Sequence, residues 1–284
     1  MPLLSRQAVL PLIRLALRED AAGRDVTSRA VLPSAARIRA RIIAKSPGIL
    51  AGGQVAAWTF HAVDPRLRCV RMRRDGAAVA RGQTILTVEG RARSIFAAER
   101  TALNFLGHLC GIATLTRQFV RRAGSPRVTI LDTRKTLPGL RALQKRAVAV
   151  GGGANHRMGL QDAVLIKTNH IRAAHQSIPQ LVRKAQRTAH GRCVEVEVRN
   201  LTELRAALTA RPNAILLDNW TMAAIRQAIR FRGTQPAARG TTLEVSGGVT
   251  LANVRRIAKT GVDRISIGRL THSAPALDVS LEVL

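Results

Sequence analysis

Side chains able to handle anions are concentrated between residues 132 and 170. Arg134 and Lys135 stand side by side in Asp132-Thr133-Arg134-Lys135-Thr136, a planar bidentate fork next to a point charge, suited to carboxylates or phosphates. In residues 151–160, Gly-Gly-Gly-Ala-Asn-His-Arg-Met-Gly-Leu, the glycines let backbone approach a ligand closely, and His156 and Arg157 offer donors to it. Lys167 follows in Leu165-Ile166-Lys167-Thr168-Asn169-His170. A lysine there is either a Schiff-base nucleophile or one more anion-binding cation. Arg134, Lys135, His156 and Arg157 nearby favour anion binding, although a cationic neighbourhood also activates a lysine.

Further along the chain, Glu197 and Asp218 add carboxylates to this basic set. They either bind Mg²⁺ together with substrate phosphates and hydroxyls, or serve as counter-ions for the cations; the residues alone leave both open. Ser246-Gly247-Gly248 ends an apolar run and leads into a helix expected from about residue 251. Ser266-Ile267-Gly268 repeats the arrangement one unit later. Backbone N–H groups at such turns, aided by the helix dipole, bind phosphate.

These residues need a scaffold, and the apolar patterning describes one. Val9, Leu12, Ile13, Ala16 and Leu17 form a helical stripe with Pro11 expected in its first turn. Strands are expected at 37–44, 67–72 and 84–88, with a short helix near 55–61. A long helix follows over about 94–121, with Ser94 as its N-cap and Ile95, Ala98, Ala102, Phe105, Leu106 and Leu109 on its buried face. From about residue 126, short apolar runs at 128–131, 163–166, 194–198, 214–217, 243–245 and 264–267 alternate with helical stretches at 174–189, 202–210, 222–231 and 251–259.

That alternation means parallel strands with covering helices, in a doubly wound sheet or a β/α barrel. No GxGxxG follows the first strand, which disfavours a dinucleotide-binding sheet. The strand ends favour the barrel: Asp132, Lys167, Glu197, Asp218, Ser246 and Gly268 end or follow successive strands. One polar strand end marks only the start of a loop. Acids and bases at successive ends fit a barrel, whose strand C-termini meet at one active-site mouth.

Composition narrows the function classes. With 46% apolar residues and 22 glycines along 284 positions, a buried core is expected and wholesale disorder is not. The three cysteines, Cys69, Cys110 and Cys193, suit neither a disulfide framework nor a zinc site, and read as free thiols of a cytoplasmic protein. No apolar run reaches the roughly 18 residues of a membrane span. Glu19, Asp20 and Asp25 argue against reading the N-terminus as a transit peptide. The net charge of +29 invites a nucleic-acid partner, but arginine supplies about 40 of the 46 basic residues and is spread along the whole chain. With no Tyr, five Phe and two Trp there is little to stack on bases, so no nucleic-acid partner is expected. The charge still attracts small anions.

Taken in order, DTRKTLPGLR, GGGANHRMGL, LIKTNHI, VEVEV, LLDN, EVSGG and SIGRLTHS resemble the quinolinate phosphoribosyltransferases (nicotinate-nucleotide pyrophosphorylase, carboxylating). REDAAGRDVTS and AERTALNFLGHLCGIAT extend the resemblance upstream, so that it runs from about residue 9 to the C-terminus. It implies a two-domain α/β chain. Residues 1–112 would form an N-terminal α/β sandwich onto which a tail of about 270–284 packs back, and 113–269 an open β/α barrel with fewer strands than the usual eight. It also implies a homodimer, or a larger assembly of dimers, with shared active sites. By position Arg100 would reach the partner's site, while Arg134, Lys135, His156, Arg157 and Lys167 hold quinolinate. Glu197 and Asp218 would face Mg²⁺ and the ribose hydroxyls of phosphoribosyl pyrophosphate, and Ser246, Gly247, Gly248 and Gly268 its 5-phosphate. Lys135, Lys167, Glu197 and Asp218 are the residues expected closest to the chemistry. The implied products are nicotinate mononucleotide, pyrophosphate and CO₂, a step of NAD biosynthesis.

Thr168 departs from the family's usual Asp, and the tyrosine often found after Arg141 is absent; neither change removes a ligand. Molybdenum-transport-associated homologues share the fold and diverge in the segment beginning Leu165-Ile166-Lys167. Lys-x-Asn-His here favours the biosynthetic enzyme.

Overall fold

The computed structural model describes residues 5–70 and 72–284, so Arg71, inside the strand expected at 67–72, lies outside the described residues. The elements, in chain order, are α1 (Arg6–Glu19), α2 (Val26–Val31), β1 (Arg37–Ala44), β2 (Gly48–Ile49), α3 (Gly53–Val63), β3 (Arg68–Val70), β4 (Ala78–Val79), β5 (Thr84–Arg91) and α4 (Ala92–Ala123). Then come β6 (Thr129–Leu131), α5 (Arg141–Val150), β7 (Val164–Ile166), α6 (Thr168–Ala174), α7 (Ile178–Thr188), β8 (Val194–Val198), α8 (Leu201–Thr209) and β9 (Ala214–Asp218). The chain finishes with α9 (Met222–Gly233), β10 (Thr242–Ser246), α10 (Val254–Ala258), β11 (Arg264–Ser266), α11 (Arg269–His272) and β12 (Val279–Val283). It divides into two compact units, one of residues 1–117, 136–152 and 270–284, the other of 118–135 and 153–269.

The first unit is built on an antiparallel sheet in the order β12-β1-β5-β3. Ile42 and Leu86 of the sheet, Phe60 of α3 and Ile95, Ala102 and Leu106 of α4 share one buried core. The tail joins this unit through β12, where Ile42 pairs with Leu281. Leading into it, the tail passes so close to α4 that a Cβ on Gly111 would lie 2.0 Å from the Pro275 carbonyl oxygen. Helix α5 also belongs here, with Gln144 Nε2 donating to the Thr271 carbonyl.

The second unit carries six parallel strands in the order β6-β11-β10-β9-β8-β7. The two edge strands of this sheet, β6 and β7, do not pair with each other, so the barrel is open. Ala154 covers the edge of β6, donating to the Ile130 carbonyl and accepting from the Asp132 N–H. On β8, Val194, Val196 and Val198 are buried on one face, so strand alternation places Glu195 and Glu197 on the other. Register carries the pattern around the sheet: Ser246 faces Asp218 on one side and Ser266 on the other.

Several local expectations need correction. Helix α1 starts at Arg6 with Ser5 as its cap, so Pro11 sits inside it and not in the first turn. Helix α4 begins at Ala92, and Ser94, expected to cap it, instead donates from Oγ to Asp64 Oδ2. The helix expected over 174–189 is two. His175, in the left-handed region at φ 50°, ends α6, and Ser177 with Gln180 caps α7. Helix α10 starts at Val254, because Thr250 and Asn253 bond to each other and hold the preceding turn out of the helix. Among the described residues no helix is long and apolar enough to cross a membrane.

Candidate active site

At the C-terminal end of the second unit's strands, one cleft is lined by Thr133, Arg134, Lys135, His156, Arg157, Leu165, Lys167, Glu197, Leu216, Asp218, Glu244, Ser246 and Ser266. Every cation expected to hold the acid substrate is among them, with both expected carboxylates and Ser246. Gly247 and Gly248 form the turn after β10, both at positive φ, 85° and 60°. A Cβ on Gly247 would lie 2.0 Å from Asn219 Oδ1, so this turn requires glycine twice over, for conformation and for space. Gly268 follows β11 and is half-buried. Arg100 is exposed on α4 of the first unit and does not line the cleft.

The loop carrying His156 and Arg157 is anchored from below. Asp132 is buried just past β6, and its carboxylate accepts from Asn155 Nδ2 at 2.6 Å and the His156 N–H at 2.9 Å. Asp132 is therefore a support for the loop. Arg157 Nη1 donates to the Ala163 carbonyl at 2.9 Å, which aims the guanidinium along the start of β7. Burial, and next the Arg134 guanidinium, lower the Arg157 pKa, while the Glu195 and Asp162 carboxylates act in the opposite direction.

Under His156 lies an acid pair that strand-end reasoning missed. His156 Nε2 stands 3.0 Å from Glu195 Oε2 and 3.7 Å from Glu244 Oε1. The ligand atoms of these three residues lie within 4.8 Å of one another, a spacing compatible with a metal ion. The ring's tautomer opposes that use. The Arg157 N–H donates to His156 Nδ1 at 2.8 Å, so Nδ1 is unprotonated and the neutral ring carries its proton on Nε2. An Nε2–H donates to Glu195 and has no lone pair for a metal. Glu244 is pushed up to about 7, first by burial and then by Glu195, with His156 and Ser266 acting in the opposite direction. The signal for both acids was present in the sequence: Glu195 and Glu244 each stand two residues before a mouth residue, Glu197 and Ser246, on the same strand face.

Glu197 and Asp218 sit on neighbouring strands near the mouth. Glu197 accepts from Thr168 Oγ1 at 2.6 Å, and Asp218 from Asn219 Nδ2 at 3.1 Å. Burial and then the Glu197 charge raise the Asp218 pKa, while Lys135 and Lys167 pull it down. Two carboxylates close enough to repel, beside lysines that suit phosphate, form a hard-oxygen donor set of the kind Mg²⁺ takes.

The chain is similar to known proteins over most of its length. Residues 25–110 match the quinolinate phosphoribosyl transferase N-terminal domain, and residues 112–282 its C-terminal domain. The chain is 42% identical over 274 residues to the nicotinate-nucleotide pyrophosphorylase [carboxylating] of Mycobacterium leprae, covering 95% of each chain. A probable enzyme of the same name from Bacillus subtilis is 40% identical over 93% of this chain and 90% of its own. Among solved structures, the nicotinate-nucleotide pyrophosphorylase of Francisella tularensis superposes with a TM-score of 0.90 at 38% identity, over 99% of this chain and 98% of that one. The corresponding structure from Ehrlichia chaffeensis gives 0.91 at 33% identity over the full length of both chains. This chain belongs to the quinolinate phosphoribosyltransferase family.

Proposed function

We propose that the chain transfers the phosphoribosyl group of phosphoribosyl pyrophosphate to quinolinate and releases CO₂, giving nicotinate mononucleotide and pyrophosphate. The observation that carries this reading is the convergence of Arg134, Lys135, His156, Arg157 and Lys167 with Glu197, Asp218 and Ser246 in one cleft. A dicarboxylate and a polyphosphate repel each other, and a preorganised cationic wall offsets that repulsion while fixing their orientation. Arg134, Lys135, Arg157 and Lys167 hold the two carboxylates. Both His156 nitrogens are engaged within the protein, so it supports Arg157 and offers the cleft its ring edge. Ser246, Gly247, Gly248 and Gly268 take the 5-phosphate.

Glu197 and Asp218 hold the ribose hydroxyls and Mg²⁺, which supplies positive charge to the pyrophosphate group. The quinolinate ring nitrogen forms its bond to the anomeric carbon as the bond from that carbon to pyrophosphate breaks. The nitrogen, now cationic, then stabilises the electron pair left on the adjacent C2 when the bond to the 2-carboxylate breaks. Water supplies the proton to C2. No side chain needs to act as a covalent nucleophile, and Lys167 serves as a cation.

The active form is a homodimer or an assembly of dimers, in which Arg100 of one subunit completes the site of the other. Exposure of Arg100 on a helix that does not line its own chain's cleft supports this. The unbridged thiols of Cys69, Cys110 and Cys193 support a cytoplasmic setting. Incubating the purified protein with quinolinate, phosphoribosyl pyrophosphate and Mg²⁺ tests the reaction. Formation of nicotinate mononucleotide with CO₂ is expected, and failure to form either would remove the assignment.

A further inference from the structure

Thr168 is the first residue of α6, directly after Lys167 at the end of β7, and it reaches the neighbouring strand's Glu197. Its Oγ1 donates to Glu197 Oε1 at 2.6 Å, and its backbone N–H donates to the same oxygen at 3.3 Å. Two donors on one oxygen fix the rotation of a carboxylate that otherwise turns about three side-chain bonds. Glu197 needs such an anchor, because the like charge of Asp218 on β9 drives the two carboxylates apart.

Building on the reaction proposed above, we infer that Thr168 is a positioning residue whose hydroxyl pins Glu197 beside Asp218, in the orientation that receives phosphoribosyl pyrophosphate. The side-chain anchor depends on a hydroxyl donor at this position, which a valine of similar shape does not supply. It acts on one substrate only: Glu197 lies on the ribose side of the cleft, whereas the acid substrate is held by Arg134, Lys135, Arg157 and Lys167.

Thr168→Val removes the donor and keeps the shape, and Thr168→Ser restores the donor. A hydrogen bond to a charged group corresponds to roughly tenfold to hundredfold in binding. Calorimetric titration of the apo protein with phosphoribosyl pyrophosphate and Mg²⁺ should therefore show at least about tenfold weaker binding in Thr168→Val. KM for phosphoribosyl pyrophosphate should rise in parallel, with quinolinate affinity and Tm unchanged and both defects reversed in Thr168→Ser. Thr168→Ala replaces the valine variant if valine disturbs folding. Parent-like binding of phosphoribosyl pyrophosphate by the donor-less variants would overturn the inference. So would an equal loss of quinolinate affinity, or no recovery with serine. If the parent itself neither binds phosphoribosyl pyrophosphate nor turns over, the proposed function fails instead.

Discussion

His156 Nε2 lies 3.0 Å from Glu195 Oε2 while the Arg157 N–H occupies Nδ1, so one imidazole joins a buried acid to the residue that faces the cleft. Glutamine at 195 keeps an oxygen acceptor for Nε2–H, whereas leucine removes it and leaves only the more distant Glu244, at 3.7 Å. Glu195→Gln should keep quinolinate affinity within about threefold, and Glu195→Leu should lose about tenfold to hundredfold. Direct titration with quinolinate checks this, and parent-like affinity in the leucine variant would free Arg157 from any dependence on the pair.

Glu244 makes stability depend on pH in a defined direction. Burial raises its pKa from 4.5 to about 7, so the folded state holds this proton more tightly than the unfolded state does. The stabilisation is complete below the unfolded value and is lost as pH climbs towards the folded one. Glu244→Gln removes the titration, so its Tm relative to the parent should rise by several degrees between about pH 5 and about pH 8. A Tm difference independent of pH over that window would show that Glu244 does not carry the shift.

Gly247→Ala places a Cβ 2.0 Å from Asn219 Oδ1 at a φ of 85° and displaces the turn after β10. KM for phosphoribosyl pyrophosphate should rise by an order of magnitude or more, the scale of a strain of about 1–3 kcal/mol. Quinolinate binding should stay close to the parent's. Equal loss of both substrates would place this turn outside a dedicated phosphate site.

The shared site can be tested by complementation. Arg100→Ala and Lys135→Ala should each be close to inactive alone. Subunit exchange between them should regenerate one intact site per mixed dimer, recovering up to about a quarter of parental activity after random exchange. No recovery in verified mixed dimers would confine the site to one chain.

Much of this architecture was legible because strand periodicity is local. The β8 strand was readable residue by residue from Val-Glu-Val-Glu-Val, and β1 from its eight-residue run. Six successive strand ends pointed to one mouth, and eight of the nine charged, histidine and serine residues expected at the site line the cleft there, Arg100 being the exception. What was harder depended on contacts between distant segments. Nothing near residue 141 says that α5 packs with the first unit, because its partners His108 and Thr271 are far away in sequence. Glu195 and Glu244 escaped attention because they lie one inward step below the mouth, where acids are expected only with partners. The break between α6 and α7 was readable in hindsight from Ser177 and Gln180, a capping-box pair inside a stretch otherwise periodic enough to pass as one helix.

Product analysis of the purified protein with quinolinate, phosphoribosyl pyrophosphate and Mg²⁺ tests the central claim most directly. Nicotinate mononucleotide, pyrophosphate and CO₂ should appear in equal amounts, with CO₂ release dependent on phosphoribosyl pyrophosphate. Absence of nicotinate mononucleotide, or product formed from another pyridine acid with quinolinate left unconsumed, would contradict it.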